Sequence, residues 1–247
     1  MSLPITLAMF TSTKGHYDKD TYPTTVKYLE TIKHPPFFRK MVAHIKYEGT
    51  KDAYKRVAMN GFFRQHSFDV IENEGQWKHN DNSHYVEHSK DICRLMQSSQ
   101  VQSNPYVFWI EDDVILKAPE GFEHVKARIV QAMDYLDKHP EKMCVRVLDR
   151  EDILPSLLIS DKGDDLIFPH LDCFSFRANV MRSRDAWTLG SFFKNNFPTV
   201  QGIHIERYAT EVLRAISGDG VPFACFHLDK LRHIHIGSQE FDPLKEY

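Results

Sequence analysis

Tyr106 to Ile110 is a continuous apolar run, YVFWI, and three acids, Glu111, Asp112 and Asp113, follow it with no spacer. An apolar run without polar alternation has no solvent face, so it suits a central strand covered on both sides. Strands of that kind belong to largely parallel sheets with helices packed on both faces. This one segment therefore narrows the fold class to α/β. It also sets an electrostatic constraint. Three like charges at the end of a core strand are costly unless a cation or ligand compensates them.

The rest of the chain supports the alternation. Strand-like spacing covers Ile5–Phe10, Met41–Tyr47, Phe68–Ile71 and Met143–Leu148, and helical spacing covers Thr24–Ile32, Asp52–Arg64, Tyr85–Met96 and Phe122–Leu136. The later part is less regular. Leu166–Phe176 reads as extended and broken at Pro169, Val180–Trp187 and Glu206–Ile216 as helical, and Pro222–Leu228 and Leu231–Ile236 as extended. No repeat, low-complexity tract or linker interrupts the 247 residues, so a single domain is expected, with a nucleotide half over about 1–115 and an acceptor half over about 116–247.

Net charge is −3 with neutral histidines, and the lysines and arginines form no block. That argues against a nucleic-acid-binding tail. The four cysteines, Cys93, Cys144, Cys173 and Cys225, lie far apart in apolar contexts and read as buried thiols rather than a disulfide framework. The N-terminus reads as a first strand rather than a signal peptide, and no apolar stretch reaches membrane-spanning length, so a cytoplasmic location is expected.

In open α/β sheets, ligands bind beyond the carboxyl ends of the strands. A carboxylate cluster there suits a hard divalent cation such as Mn2+ or Mg2+. Such a cation bridges nucleotide phosphates and offsets charge on a leaving diphosphate. The plain alternative is a solvated acidic turn.

YVFWIEDDVIL resembles the D-x-D region of the GT-A glycosyltransferases, in a Glu-Asp-Asp form. The resemblance implies a three-layer α/β/α sandwich. Its central sheet would be mostly parallel, with a smaller antiparallel part in the acceptor half. It implies transfer of a sugar from a UDP- or GDP-sugar to a hydroxyl acceptor, a glycan being the acceptor chosen here. Carried over, Glu111 and Asp112 face the donor, Asp113 binds the metal, and Glu111 also stands at the metal. Thr11, Ser12 and Thr13 in FTSTKG follow the first strand, where the family contacts base and ribose. Asn73 and Glu74 in VIENEG would contact the base, and Lys90, with His88 beside it, the diphosphate. The family commonly supplies a late histidine to the metal. His235 and His233 in LRHIHIG fit that place, with His227 as a weaker alternative. Two residues apart in a strand, His233 and His235 share a face. For the general base, the resemblance points to an acid at the start of a helix in the acceptor half. Glu206 stands there, and Asp172 in PHLDCFSF is its rival. The paired Glu-Asp of many inverting members is missing, which leaves inverting and retaining chemistry both open.

Competing readings are a nucleotidyltransferase or another metal-dependent nucleotide enzyme, a DNA-base glycosyltransferase, and a non-catalytic carbohydrate-binding module. The P-loop pattern is absent and FTSTKG makes a poor phosphate loop, which disfavours the first.

Overall fold

The structure is a computed structural model, and it describes residues 3–12, 37–47, 53–74, 83–118, 120–147, 167–170, 176–196, 205–217, 220–226 and 231–235. Ten strands are found among these residues: β1 (Leu3–Ser12), β2 (Phe38–Tyr47), β3 (Asp69–Glu74), β4 (Tyr106–Glu111), β5 (Val114–Lys117), β6 (Cys144–Arg146), β7 (Ile167–His170), β8 (Ala178–Arg182), β9 (Phe223–Phe226) and β10 (Arg232–His235). The helices are α1 (Ala53–Gln65), α2 (Ser83–Met96), the single turn α3 (Ser99–Gln102), α4 (Phe122–Lys138), α5 (Ser183–Asn196) and α6 (Ile205–Ile216). The expected helix over Thr24–Ile32 lies outside the described residues.

Eight strands form one sheet in the order β3-β2-β1-β4-β8-β6-β9-β7, and β10 pairs with β5 in a separate ribbon. The first four strands are mutually parallel. On the other side of β4, β8 runs antiparallel to both β4 and β6, β6 is parallel to β9, and β7 is antiparallel to β9. The sheet is thus mostly parallel, and each of its antiparallel pairs includes a strand from the second half of the chain.

β4 is fully covered because its two faces serve two cores. Phe108 and Ile110 join Ile5, Leu7 and Met9 against α1 and α4. Val107 and Trp109 join Ala8 against α2, α5 and α6. Burying each such large side chain contributes roughly 1.5–3 kcal/mol. Helix α4 shows how sequence makes such a layer: Val125, Ile129, Ala132, Met133 and Leu136 are buried at helical spacing. Gly121 precedes it at φ 109, a conformation that favours glycine. At its other end, Arg182 from β8 donates to the carbonyls of Leu136 and His139, and it also reaches the Lys142 carbonyl and the Asp185 carboxylate. A charged side chain thereby satisfies carbonyls that the helix terminus leaves without partners.

One segment differs from the sequence reading. Val180–Trp187 is not one helix: β8 continues through Arg182, and α5 starts at Ser183. Both faces of β8 are buried, so it carries no alternation to distinguish it from a buried helix. Val114–Lys117, directly after the acids, forms β5, which pairs with β10 outside the main sheet. Pro169 does interrupt a strand pattern, but it sits in β7, at the sheet edge, where a missing N–H costs no ladder bond.

Candidate active site

Strand register gathers most of the expected site at one edge of the sheet. Because β1, β2, β3 and β4 are parallel, their carboxyl ends lie side by side. Ser12 stands opposite Lys46, Lys46 opposite Asn73, Tyr47 opposite Glu74, and Phe10 opposite Glu111. Thr11, Ser12, Asn73, Glu74 and Glu111 therefore occupy adjacent strand ends, the position where open α/β sheets bind ligands. Of these, the side chains of Ser12, Asn73 and Glu74 lie outside the description. Thr13 and Asp172 lie wholly outside the described residues, as does His227. Lys90 is half-buried on α2. His88 belongs to the same helix by its backbone.

The acidic triplet divides into distinct environments. The Thr11 hydroxyl donates to the Asp112 carboxylate at 2.5 Å, and both residues are buried. This bond ties the end of β1 to the turn after β4. Glu111 ends β4 itself. Its backbone N–H donates to the Arg177 carbonyl at 3.1 Å, extending the β4–β8 ladder by one pair. The Arg177 guanidinium stands 3.7 Å from the Glu111 carboxylate, and each side chain is about one-third exposed (35% and 34%). The Glu111 carboxyl is pushed above the usual carboxylate range, first by burial, then by Asp113 and Glu206, with Arg177 opposing and Asp112 adding to the shift.

Glu206 lies in the first turn of α6, as the helix-start reading anticipated. It accepts the Phe176 backbone N–H at 3.1 Å. That bond fixes the carboxylate over the face of the sheet that carries Trp109, because Phe176 packs edge-on to Trp109 with ring centroids 6.3 Å apart. Phe10 completes this floor, stacked on Trp109 at 5.9 Å and edge-on to Phe176 at 6.1 Å. Glu206 also acts on Glu111 electrostatically, which places acids from α6 and β4 near one another.

Sequence reasoning missed a buried charged group beside this edge. Lys46 donates to Asp91 of α2 at 2.8 Å, with both side chains almost fully buried, and Arg94 reaches the same carboxylate at 3.2 Å. The His44 imidazole lies 3.7 Å from Asp91. Burial lowers the His44 pKa to about 4, with Asp91 opposing and Lys46 and Arg94 assisting, so this is a neutral imidazole beside a carboxylate and not an ion pair. The available signal was Lys46 within the apolar strand sequence of β2, an expensive residue to bury without a partner.

His233 and His235 return to the acids by their backbone. Strand β10 runs antiparallel to β5, with His235 opposite Val114 and His233 opposite Leu116. The C-terminal strand thus reaches the residue directly after Asp113. The side chains of both histidines lie outside the description. Among the described residues, no group of three or more His, Cys, Asp or Glu side chains is arranged to hold a metal ion. The carboxylates of Glu111 and Asp113 are hard oxygen donors of the kind a divalent cation takes, and like charge from Asp113 and Glu206 crowds Glu111. No helix among the described residues is long and apolar enough to cross a membrane.

No protein-family profile matches the chain, and no curated protein matches it in sequence. Solved structures do match it in shape. GalNAc-T7, crystallised with UDP, GalNAc and Mn2+, aligns with a TM-score of 0.55 at 10% identity, over 94% of this chain and 43% of that one. Glucosyl-3-phosphoglycerate synthase from Mycobacterium tuberculosis, in complex with Mn2+, UDP and phosphoglyceric acid, aligns with a TM-score of 0.47 at 11% identity, over 93% and 70% of the two chains. Mannosyltransferase PcManGT from Pyrobaculum calidifontis, in complex with GDP-Man and Mn2+, aligns at 0.43 and 10% identity, over 91% and 57%. The chain therefore spans less than half the length of GalNAc-T7. The likeness to GalNAc-T7 shows the fold alone, a GT-A-type architecture.

Proposed function

We propose that the chain is a glycosyltransferase that moves a sugar from a UDP- or GDP-sugar to a hydroxyl acceptor, such as a glycan, with a divalent metal at the diphosphate. The observation that carries this reading is the register of β1 to β4. It aligns Thr11, Ser12, Asn73, Glu74 and Glu111 at one sheet edge, with β10 returning beside Asp113.

In this reading the strand ends of β1 and β3 receive the nucleoside, and Lys90 approaches its diphosphate. Glu111, Asp113 and His235, with His233 beside them, would hold Mn2+ or Mg2+. When bound, that ion supplies charge stabilisation for the departing diphosphate. Asp112 is engaged by Thr11 and holds the acid turn against β1. Glu206 takes the proton from the acceptor hydroxyl. The Phe176 N–H fixes the direction of this carboxylate, as general-base work requires. The aromatic floor of Phe10, Trp109 and Phe176 keeps the region under the acids dry.

The test is a thermal-shift panel of UDP, GDP and nucleoside triphosphates, each with and without Mn2+. Stabilisation by UDP or GDP that requires Mn2+ is expected. A response to triphosphates alone points to a nucleotidyltransferase. No response to any nucleotide points to a non-catalytic module.

A further inference from the structure

We propose that Arg177 is a positioning residue that holds Glu111 in its donor-facing place. The inference rests on the nucleotide-sugar reading above and adds a residue to it. It begins with strand geometry. In an antiparallel ladder, residues directly opposite each other project to the same face. Ile110 pairs with Ala178, and the added bond from the Glu111 N–H to the Arg177 carbonyl makes Arg177 the next opposite partner. Parallel pairing places Phe10 on the other side of Glu111. Phe10, Glu111 and Arg177 thus form one row across β1, β4 and β8, on the face that α2, α5 and α6 cover.

Charge then distinguishes Arg177 from a surface counter-ion. An exposed ion pair at 3.7 Å contributes about 0–1 kcal/mol. Here the partner carboxylate stands at the end of β4 directly before two further acids, Asp112 and Asp113, and Arg177 faces it across the ladder. Without the guanidinium, the Glu111 carboxylate loses the cation across the ladder while Asp112 and Asp113 stay next to it in sequence. It then turns away from the strand end and is lost to the donor. The Arg177 backbone is anchored by its carbonyl in the ladder, which sets the point from which the side chain reaches Glu111.

The experiment compares wild type, Arg177→Ala and Arg177→Lys by calorimetric titration of UDP and GDP in the presence of Mn2+, together with thermal unfolding and the KM for donor and for acceptor. The expected result is a roughly tenfold weaker nucleotide affinity in Arg177→Ala. The melting temperature should be near wild type, the donor KM should rise and the acceptor KM should not, and Arg177→Lys should recover most of the affinity. If Arg177 were only a counter-ion for empty acids, its removal would leave Mn2+-dependent binding equal or tighter, and that result overturns the inference alone. A Lys variant as weak as the Ala variant overturns it as well. If wild type binds neither nucleotide with Mn2+, the nucleotide-sugar reading falls and this inference falls with it.

Discussion

Thr11 and Asp112 meet across 101 residues of sequence in a single buried hydrogen bond, hydroxyl to carboxylate. The bond closes the end of the first strand onto the acid turn, so it couples folding of this sheet edge to placement of the acids. Thr11→Val keeps the shape and removes this donor. The expected cost is about 1–3 kcal/mol of stability, since a buried carboxylate loses a partner. Urea unfolding measures it, and Mn2+-dependent nucleotide affinity should fall in the same variant. Unchanged stability and affinity would remove the bond from any role in the site.

Glu206→Gln separates binding from transfer. The amide retains an acceptor for the Phe176 N–H but cannot take a proton. Donor affinity should stay near wild type, while turnover falls by about 10²–10⁴. Single-turnover transfer beside nucleotide titration reads both quantities. Near-normal transfer would shift the base to Asp172 or to retaining chemistry.

Metal dependence should follow the acid turn and the last strand. Exhaustive chelation should abolish donor turnover, and Mn2+ or Mg2+ should restore it. His235→Ala should weaken Mn2+-dependent nucleotide binding with the fold intact, and His233→Ala should weaken it less. Full activity after chelation would sink the metal assignment, and an unaffected double variant would remove both histidines from it.

The buried His44 gives a pH prediction with a definite sign. Unfolded, its imidazole protonates near 6.5; folded, burial holds protonation off until about 4. Between those values the unfolded chain binds more protons, so stability rises with pH. Acidification from pH 6.5 toward 4 should therefore remove stability through this group, with Asp91, Lys46 and Arg94 as the charges it faces. His44→Gln should flatten that part of the curve. Denaturant unfolding at several pH values in both proteins provides the comparison, and parallel curves would refute the assignment.

How far the sequence reached depended on whether a feature was local. YVFWI announced β4 because five apolar residues in a row leave a strand no solvent face. Glu206 could be placed at a helix start because first-turn acids and the spacing behind them are local signals. Val180–Trp187 could not be divided correctly, since Val180 and Met181 become strand residues only by pairing with β4 and β6. Arg177 was illegible for the same reason: its partner is 66 positions away and is named only by a strand register. Lys46 and Asp91 likewise meet only when β2 and α2 pack.

The position of β8 bears on the order in which the chain can be built. It lies between β4 and β6, antiparallel to both, yet it follows them in sequence. A chain emerging from the ribosome can assemble β3-β2-β1-β4 as soon as Glu111 has been made. Until Arg182 appears, that half-sheet presents the edge of its most apolar strand, Tyr106 to Ile110, with nothing alongside. Such an edge is a template for pairing with other chains. The interval between residues 111 and 182 is therefore when nascent copies are most exposed to aggregation, and fragments ending within it should be chaperone-dependent or insoluble while the full chain is not.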